Sequence, residues 1–148
     1  MIVGKNKTFP FVDVDALIGE ANGKYGKKRI VRADSVSEEE LMALYGDAAA
    51  VIYLSDYEGF GLPVVEAQCF GAPVITSRNT SLAEVGGDSV EFVLENTKDG
   101  IFRGLGNVLG DESRRAALAV RGKENIRRFD WRICAEKTLS SILEAKSA

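Results

Sequence analysis

Along the first hundred residues, short apolar runs alternate with stretches in which apolar positions recur at helical spacing. The runs are Met1-Ile2-Val3, Arg29-Ile30-Val31-Arg32, Ala50-Val51-Ile52-Tyr53-Leu54, Val74-Ile75-Thr76-Ser77 and Val90-Glu91-Phe92-Val93-Leu94, rich in β-branched and aromatic residues as buried strands are. Helical spacing covers Asp13 to Ala21, with Ala16, Leu17 and Ile18 inward and Gly23 near its end, and the segment through Leu41, Leu44 and Ala48. Shorter helices start at Pro63 and over Thr80 to Val85, the latter closed by Gly86-Gly87. The last third reads as helix throughout: Asp99 to Leu109 with Ile101, Leu105, Val108 and Leu109 on one side, then Arg114 to Phe129 and Trp131 to Leu143. Strand and helix in alternation predict an α/β fold, a doubly wound parallel sheet of about five strands with helices on both faces and a helical C-terminal third.

Local polar residues sharpen these boundaries. Ser37 followed by Glu40 is a capping box, and Asp130 stands where it would cap the last helix. The triplet Asp13-Val14-Asp15 has the form of a metal-binding D-x-D, but it opens a helix, where aspartates cap amides and favour the dipole. Gly104-x-Gly106 has no strand before it, so it predicts close helix packing and not a phosphate loop.

One stretch carries candidate chemistry. Between the run ending at Leu54 and the helix opened by Pro63 lies Ser55-Asp56-Tyr57-Glu58-Gly59-Phe60-Gly61-Leu62, a strand-to-helix turn. Glycines at 59 and 61 let the backbone turn tightly and let its amides approach a ligand with no Cβ in the way. Amides at a helix N-terminus suit an anion or the oxygens of a sugar. Glu66 lies one turn into the helix and its side chain leans back towards the turn, while Glu58 enters from the loop side. Ionised carboxylates only accept hydrogen bonds, so two of them suit a polyhydroxylated ligand. Taken singly, the same residues could be a solvated loop charge and a surface helix charge.

The whole string resembles the donor-site signature of retaining glycosyltransferases with the two-domain GT-B architecture. That signature is a Glu, then Gly-Phe-Gly-Leu-Pro, then a second Glu after seven intervening residues, met here by Glu58, Gly59, Phe60, Gly61, Leu62, Pro63 and Glu66. The resemblance runs from about Ile2 to the C-terminus. It takes in the strand, turn and Val-Ser-Glu-Glu-Glu-Leu before the motif, the segment Gly71 to Gly87 after it, and the aromatic-polar-Trp start of the last helix at Phe129-Asp130-Trp131. It implies the Rossmann-like C-terminal half of such an enzyme, which binds a UDP-, GDP- or ADP-sugar and transfers a hexosyl group, mannosyl or glucosyl for example, without a bound metal or other cofactor. Glu58 and the amides of Gly59 through Leu62 would take the donor sugar, with Glu58 in the catalytic position, and Glu66 the ribose hydroxyls. The turn Asp34 to Val36 would place Val36 beside the nucleobase, with Asp34 where the family usually has glycine.

The same resemblance implies that parts of a full enzyme lie outside this chain: an opening strand with a Gly-Arg turn, a Lys-Gly, and an N-terminal acceptor-binding domain. Charge-assisted phosphate contacts of that kind contribute roughly 1.5–3 kcal/mol each. The expectation is therefore that the isolated chain binds a nucleotide-sugar weakly and transfers nothing, and that an unpaired sheet edge promotes pairing with a partner or another copy.

Composition narrows the alternatives. With 148 residues and 45% apolar content the chain holds one domain with a real core. A net charge of −3 leaves no basic footprint for nucleic acid, no apolar run approaches the roughly 20 residues of a membrane span, and no signal peptide opens the chain, so it reads as cytoplasmic. Cys69 and Cys134 follow no metal or redox spacing and read as free thiols, and the absence of histidine excludes a His-dependent triad or His metal site within the chain. A phosphoacceptor domain would use Asp56, Thr76 and Lys98, but Gly4-Lys5-Asn6 stands where its acidic pair should be. A non-catalytic nucleotide-sugar-binding or scaffold domain remains the main alternative, and an epimerase or phosphorylase of the same architecture fits the Gly-Phe-Gly-Leu-Pro string less well.

Overall fold

The computed structural model describes residues 1–5 and 12–147, so the loop containing Pro10, with Asn6, lies outside the described residues. Two compact units divide the chain, residues 1–42 and 43–148. In the first, strand β1 (Ile2–Val3) pairs in parallel with β2 (Arg32–Ala33), shorter and later than the run expected from Arg29. Helix α1 (Val14–Tyr25) runs further than the spacing indicated and ends on Gly26, whose φ of 61° is the left-handed conformation that glycine adopts without strain. Both aspartates of the D-x-D triplet have structural work here. Asp13 caps α1 by accepting from the Ala16 amide, and Asp15 accepts two hydrogen bonds from the Arg32 guanidinium. Helix α2 (Glu38–Asp47) opens on the expected capping box, with the Ser37 and Glu40 side chains each bonded to the other's amide.

The second unit is a three-stranded parallel sheet, β3 (Val51–Tyr53), β4 (Val74–Ser77) and β5 (Glu91–Val93), in the order β3-β4-β5. The five expected strands are thus present, hydrogen-bonded as a two-stranded and a three-stranded ladder, each of them parallel. Side chains alternate across the sheet and divide the core in two. Val51, Tyr53 and Val74 meet Val64 and Ala67 of α3 (Leu62–Cys69) and Leu82 and Val85 of α4 (Thr80–Gly86). On the opposite face Ile75 and Val93 meet Val108 of α5 (Lys98–Leu109) and Leu118 of α6 (Glu112–Asn125). Gly104 is the close-packing glycine of its pair, since a Cβ there would lie 3.1 Å from Val93 Cγ2, whereas Gly106 faces open space. A 3-10 turn (Ile126–Arg128) follows α6, and α7 (Trp131–Ser147) opens with Asp130 accepting from the Arg132 and Ile133 amides. No helix among the described residues is long and apolar enough to cross a membrane.

A buried polar network ties α6 to α3. Asn125 Nδ2 donates to Gln68 Oε1 at 2.9 Å and to the Val85 carbonyl at 2.8 Å, while Gln68 Nε2 donates to the Ser89 hydroxyl at 2.8 Å. Both amide side chains are buried, so removing one partner leaves desolvated acceptors. Asn125→Ala is expected to destabilise the chain by about 1–3 kcal/mol, read as a lower urea midpoint with an unchanged slope.

Candidate functional site

The turn between β3 and α3 is held from the neighbouring strand's loop. Because β3 and β4 are parallel with Tyr53 opposite Thr76, their C-terminal ends emerge side by side. The residues after β4 then reach across. Asn79 Nδ2 donates to the Ser55 and Asp56 carbonyls at 2.6 and 3.0 Å, and the Ser55 amide donates to the Ser77 hydroxyl.

Glu58 is restrained along its main chain and at one carboxylate oxygen. Its amide donates to Thr80 Oγ1 at 3.2 Å, its carbonyl accepts from Ser81 Oγ at 2.8 Å, and its carboxylate Oε1 accepts from the Tyr53 hydroxyl at 2.6 Å. Oε2 accepts nothing among the described residues. The amides of Gly59, Phe60 and Gly61, which follow directly, likewise donate to no described residue. One carboxylate oxygen and three successive N–H groups are therefore available at one turn.

Glu66 repeats the pattern on α3. Its Oε2 accepts from the Tyr45 hydroxyl at 3.3 Å, Oε1 has no partner among the described residues, and the Tyr45 ring stacks on Phe70 with centroids 6.2 Å apart. Glu58 and Glu66 thus lie at the two ends of a segment spanning the turn and the first helical turn of α3, each with one oxygen tethered to a tyrosine. Burial, then the hydrogen bond and charge of Glu58, then the neighbouring Tyr45 push the Tyr53 phenol up to about 12. Burial, then the charge of Glu66 and its hydrogen bond, push the Tyr45 phenol up to about 12 as well. Both remain protonated donors at neutral pH.

The two glycines of the turn do different work. Gly61 has φ +97°, and a Cβ on it would fall 2.5 Å from Leu82 Cδ2, so the bend into α3 needs glycine there. Gly59 has no left-handed φ, and a Cβ on it would meet no described residue beyond its chain neighbours within 4 Å, which corrects the expectation that both glycines make the turn. Phe60 is 40% exposed and meets Phe129 edge to face at 5.4 Å, and Leu62, which opens α3, is 53% exposed. Val36 is half-buried in the N-terminal unit, and Asp34 beside it is paired with Arg32 at 2.6 Å.

The signal missed in the sequence is polar residues outside the motif: Tyr45, Tyr53, Asn79, Thr80 and Ser81. Tyr53 reads as part of a buried strand and Thr80-Ser81 as a helix start, while Tyr45 lies unmarked in the helical stretch through Leu41, Leu44 and Ala48, because nothing local shows that α4 begins beside the β3 turn. Of the phosphoacceptor candidates, Thr76 is buried with its hydroxyl donating to the Tyr53 carbonyl, and Asp56 accepts from Asn96. No group of three Asp, Glu or Cys side chains among the described residues could hold a metal ion, and both cysteines are free.

The family described as "Glycosyl transferases group 1" matches residues 17–125. The chain is 39% identical over 106 residues to O-antigen chain mannosyltransferase B of Escherichia coli, an alignment covering 72% of this chain and 28% of that protein. It is 34% identical over 128 residues to the MMP alpha-(1->4)-mannosyltransferase of Mycolicibacterium hassiacum, covering 78% and 29%, and 35% identical over 108 residues to the D-inositol 3-phosphate glycosyltransferase of Salinispora tropica, covering 72% and 22%. The alignments thus span less than a third of these relatives' length. Among solved structures, sucrose-phosphate synthase from Thermosynechococcus elongatus shares the fold, with a TM-score of 0.78 over 98% of this chain and 38% of the other at 20% identity.

Two outcomes follow from the geometry. A phenol whose folded-state value is raised above its unfolded value near 10 contributes stability that is complete below pH 10 and is lost as pH rises towards about 12. Urea midpoints are therefore expected to fall between pH 10 and 12, less steeply in Tyr45→Phe and Tyr53→Phe than in the parent chain. Gly61→Ala is expected to cost about 1–3 kcal/mol from its backbone conformation, and Gly59→Ala within about 0.5 kcal/mol, compared by chemical denaturation.

Proposed function

This chain belongs to the group 1 glycosyl transferases and carries a GT-B-type domain, and on that premise we propose that it is the donor-binding half of a retaining hexosyltransferase. Its substrate class is a nucleotide-sugar, UDP-, GDP- or ADP-linked, and the group moved is a hexosyl unit such as mannosyl or glucosyl. Acceptor recognition falls to a part of the enzyme outside this chain, in keeping with relatives more than three times as long as the aligned segment.

The observation that carries the reading is the state of Glu58. Its main chain and one carboxylate oxygen are immobilised by Thr80, Ser81 and Tyr53, while its second oxygen and the next three amides have no partner among the described residues. This combination costs little before a ligand arrives, since Gly59 and Phe60 are exposed and water can meet their amides. For a sugar it supplies an acceptor for a hydroxyl and donors for ring or phosphate oxygens, already oriented. Glu58 then faces the sugar at the reacting end, through Oε2, with Gly59, Phe60, Gly61 and Leu62 lining the same turn. Glu66 accepts from the ribose hydroxyls through Oε1.

A calorimetric or ligand-observed NMR screen of UDP-, GDP- and ADP-sugars against the chain is expected to find one nucleotide that binds. Glu66→Ala should weaken it at least about tenfold, the worth of a charge-assisted hydrogen bond. Equal binding by the variant removes Glu66 from the ribose role, and no binding of any nucleotide-sugar sinks the donor-site reading.

A further inference from the structure

Behind the two carboxylates stand two tyrosines whose rings pack against one apolar cluster, Tyr45 from α2 and Tyr53 from β3. The hydroxyl of each donates to one glutamate oxygen and leaves the other oxygen open. The phenols are close enough that Tyr45 adds to the resistance of Tyr53 to ionisation. The glutamates therefore rest on a common base and not on two unrelated side chains.

We propose that Tyr53 and Tyr45 are positioning residues that hold Glu58 and Glu66 in their donor-binding rotamers and so fix the distance between the sugar-facing and the ribose-facing carboxylate. The proposal rests on the donor-site reading above. A glutamate has three side-chain torsions, and ordering them when a ligand arrives would subtract from affinity. Here the ordering is done beforehand. For Glu58 the main chain is fixed by Thr80 and Ser81 and the tip by Tyr53, so both ends of the side chain are set. For Glu66 the main chain is set by α3 and the tip by Tyr45, whose orientation is fixed in turn by stacking on Phe70. Packing alone would be satisfied by phenylalanine at either position. A tyrosine there adds only the hydroxyl, and both hydroxyls go to the motif glutamates. The bond from Tyr53 is the shorter, 2.6 Å against 3.3 Å, so its loss should matter more.

Tyr53→Phe and Tyr45→Phe keep the rings that the core needs, and thermal melts establish that each variant is folded at the assay temperature. Each is titrated with two ligands, the nucleotide-sugar found to bind the parent chain and the matching nucleoside diphosphate that lacks the sugar. Tyr53→Phe is expected to weaken the nucleotide-sugar about tenfold while leaving the nucleoside diphosphate within about twofold. Tyr45→Phe is expected to weaken both ligands by the same smaller factor, because both carry the ribose. A purely structural role for Tyr53 would reduce affinity for the two ligands alike, and that result, or unchanged affinity for both, overturns the proposal. A parent chain that binds neither ligand instead overturns the donor-site reading, and the proposal falls with it.

Discussion

The site depends on the grip that the start of α4 exerts on the loop after β3. Parallel pairing of β3 with β4 delivers both strand ends to one edge, so the loops that follow must share space. Asn79, Thr80 and Ser81 turn that proximity into hydrogen bonds to Ser55, Asp56 and Glu58. The arrangement is not relaxed. Thr80 has φ +42°, an outlier for a β-branched residue, and the buried Oδ1 of Asn79 has no partner among the described residues. Strain and an unsatisfied acceptor persist where the surrounding structure over-determines a conformation, and they collect at sites where a ligand is to be held. Here both fall within three residues of the groups that hold Glu58.

The rest of the second unit supports that grip from behind. Gly61 lets the chain bend into α3 against Leu82 of α4, so the two helices that flank the turn meet at the bend itself. Gly122 of α6 lies against Gln68 of α3, close enough that a Cβ would sit 3.0 Å from Gln68 Cγ, and the Asn125–Gln68 bond locks the contact. Beyond α6, Phe129 closes on Phe60, which places an aromatic contact from the link between α6 and α7 on the motif. On the far side of the sheet, Glu91 is buried and accepts from Asn107 and Arg114, so α5 and α6 are joined to β5 by a satisfied charge and not by apolar contact alone. A turn exposed to ligand can be rigid because everything it leans on is packed.

Much of the fold was legible in the residues themselves. The runs ending at Leu54, Ser77 and Leu94 became strands with boundaries shifted by at most one residue, and Ser37 with Glu40, Asp130 and Gly87 cap helices where their chemistry placed them. Such features are local: a capping box needs three residues, and an apolar run followed by Gly-Phe-Gly-Leu-Pro needs a dozen. The early strands were the least legible, since β2 occupies Arg32–Ala33, where alternation over two residues carries no period to read.

By itself, the sequence determined the alternation of elements, the strand-to-helix position of Glu58 and Glu66, and membership of a glycosyltransferase family, because each follows from neighbouring residues or from a contiguous string. Only the tertiary structure decided which residues hold those carboxylates. Tyr45 precedes Glu66 by twenty-one positions and Thr80 follows Glu58 by twenty-two, separations that no sequence period encodes; parallel pairing of β3 with β4 closes the second. The same holds for the glycines: both stand in the motif, yet the positive φ and the approach of Leu82 belong to Gly61 alone, a distinction made by a neighbour from another helix.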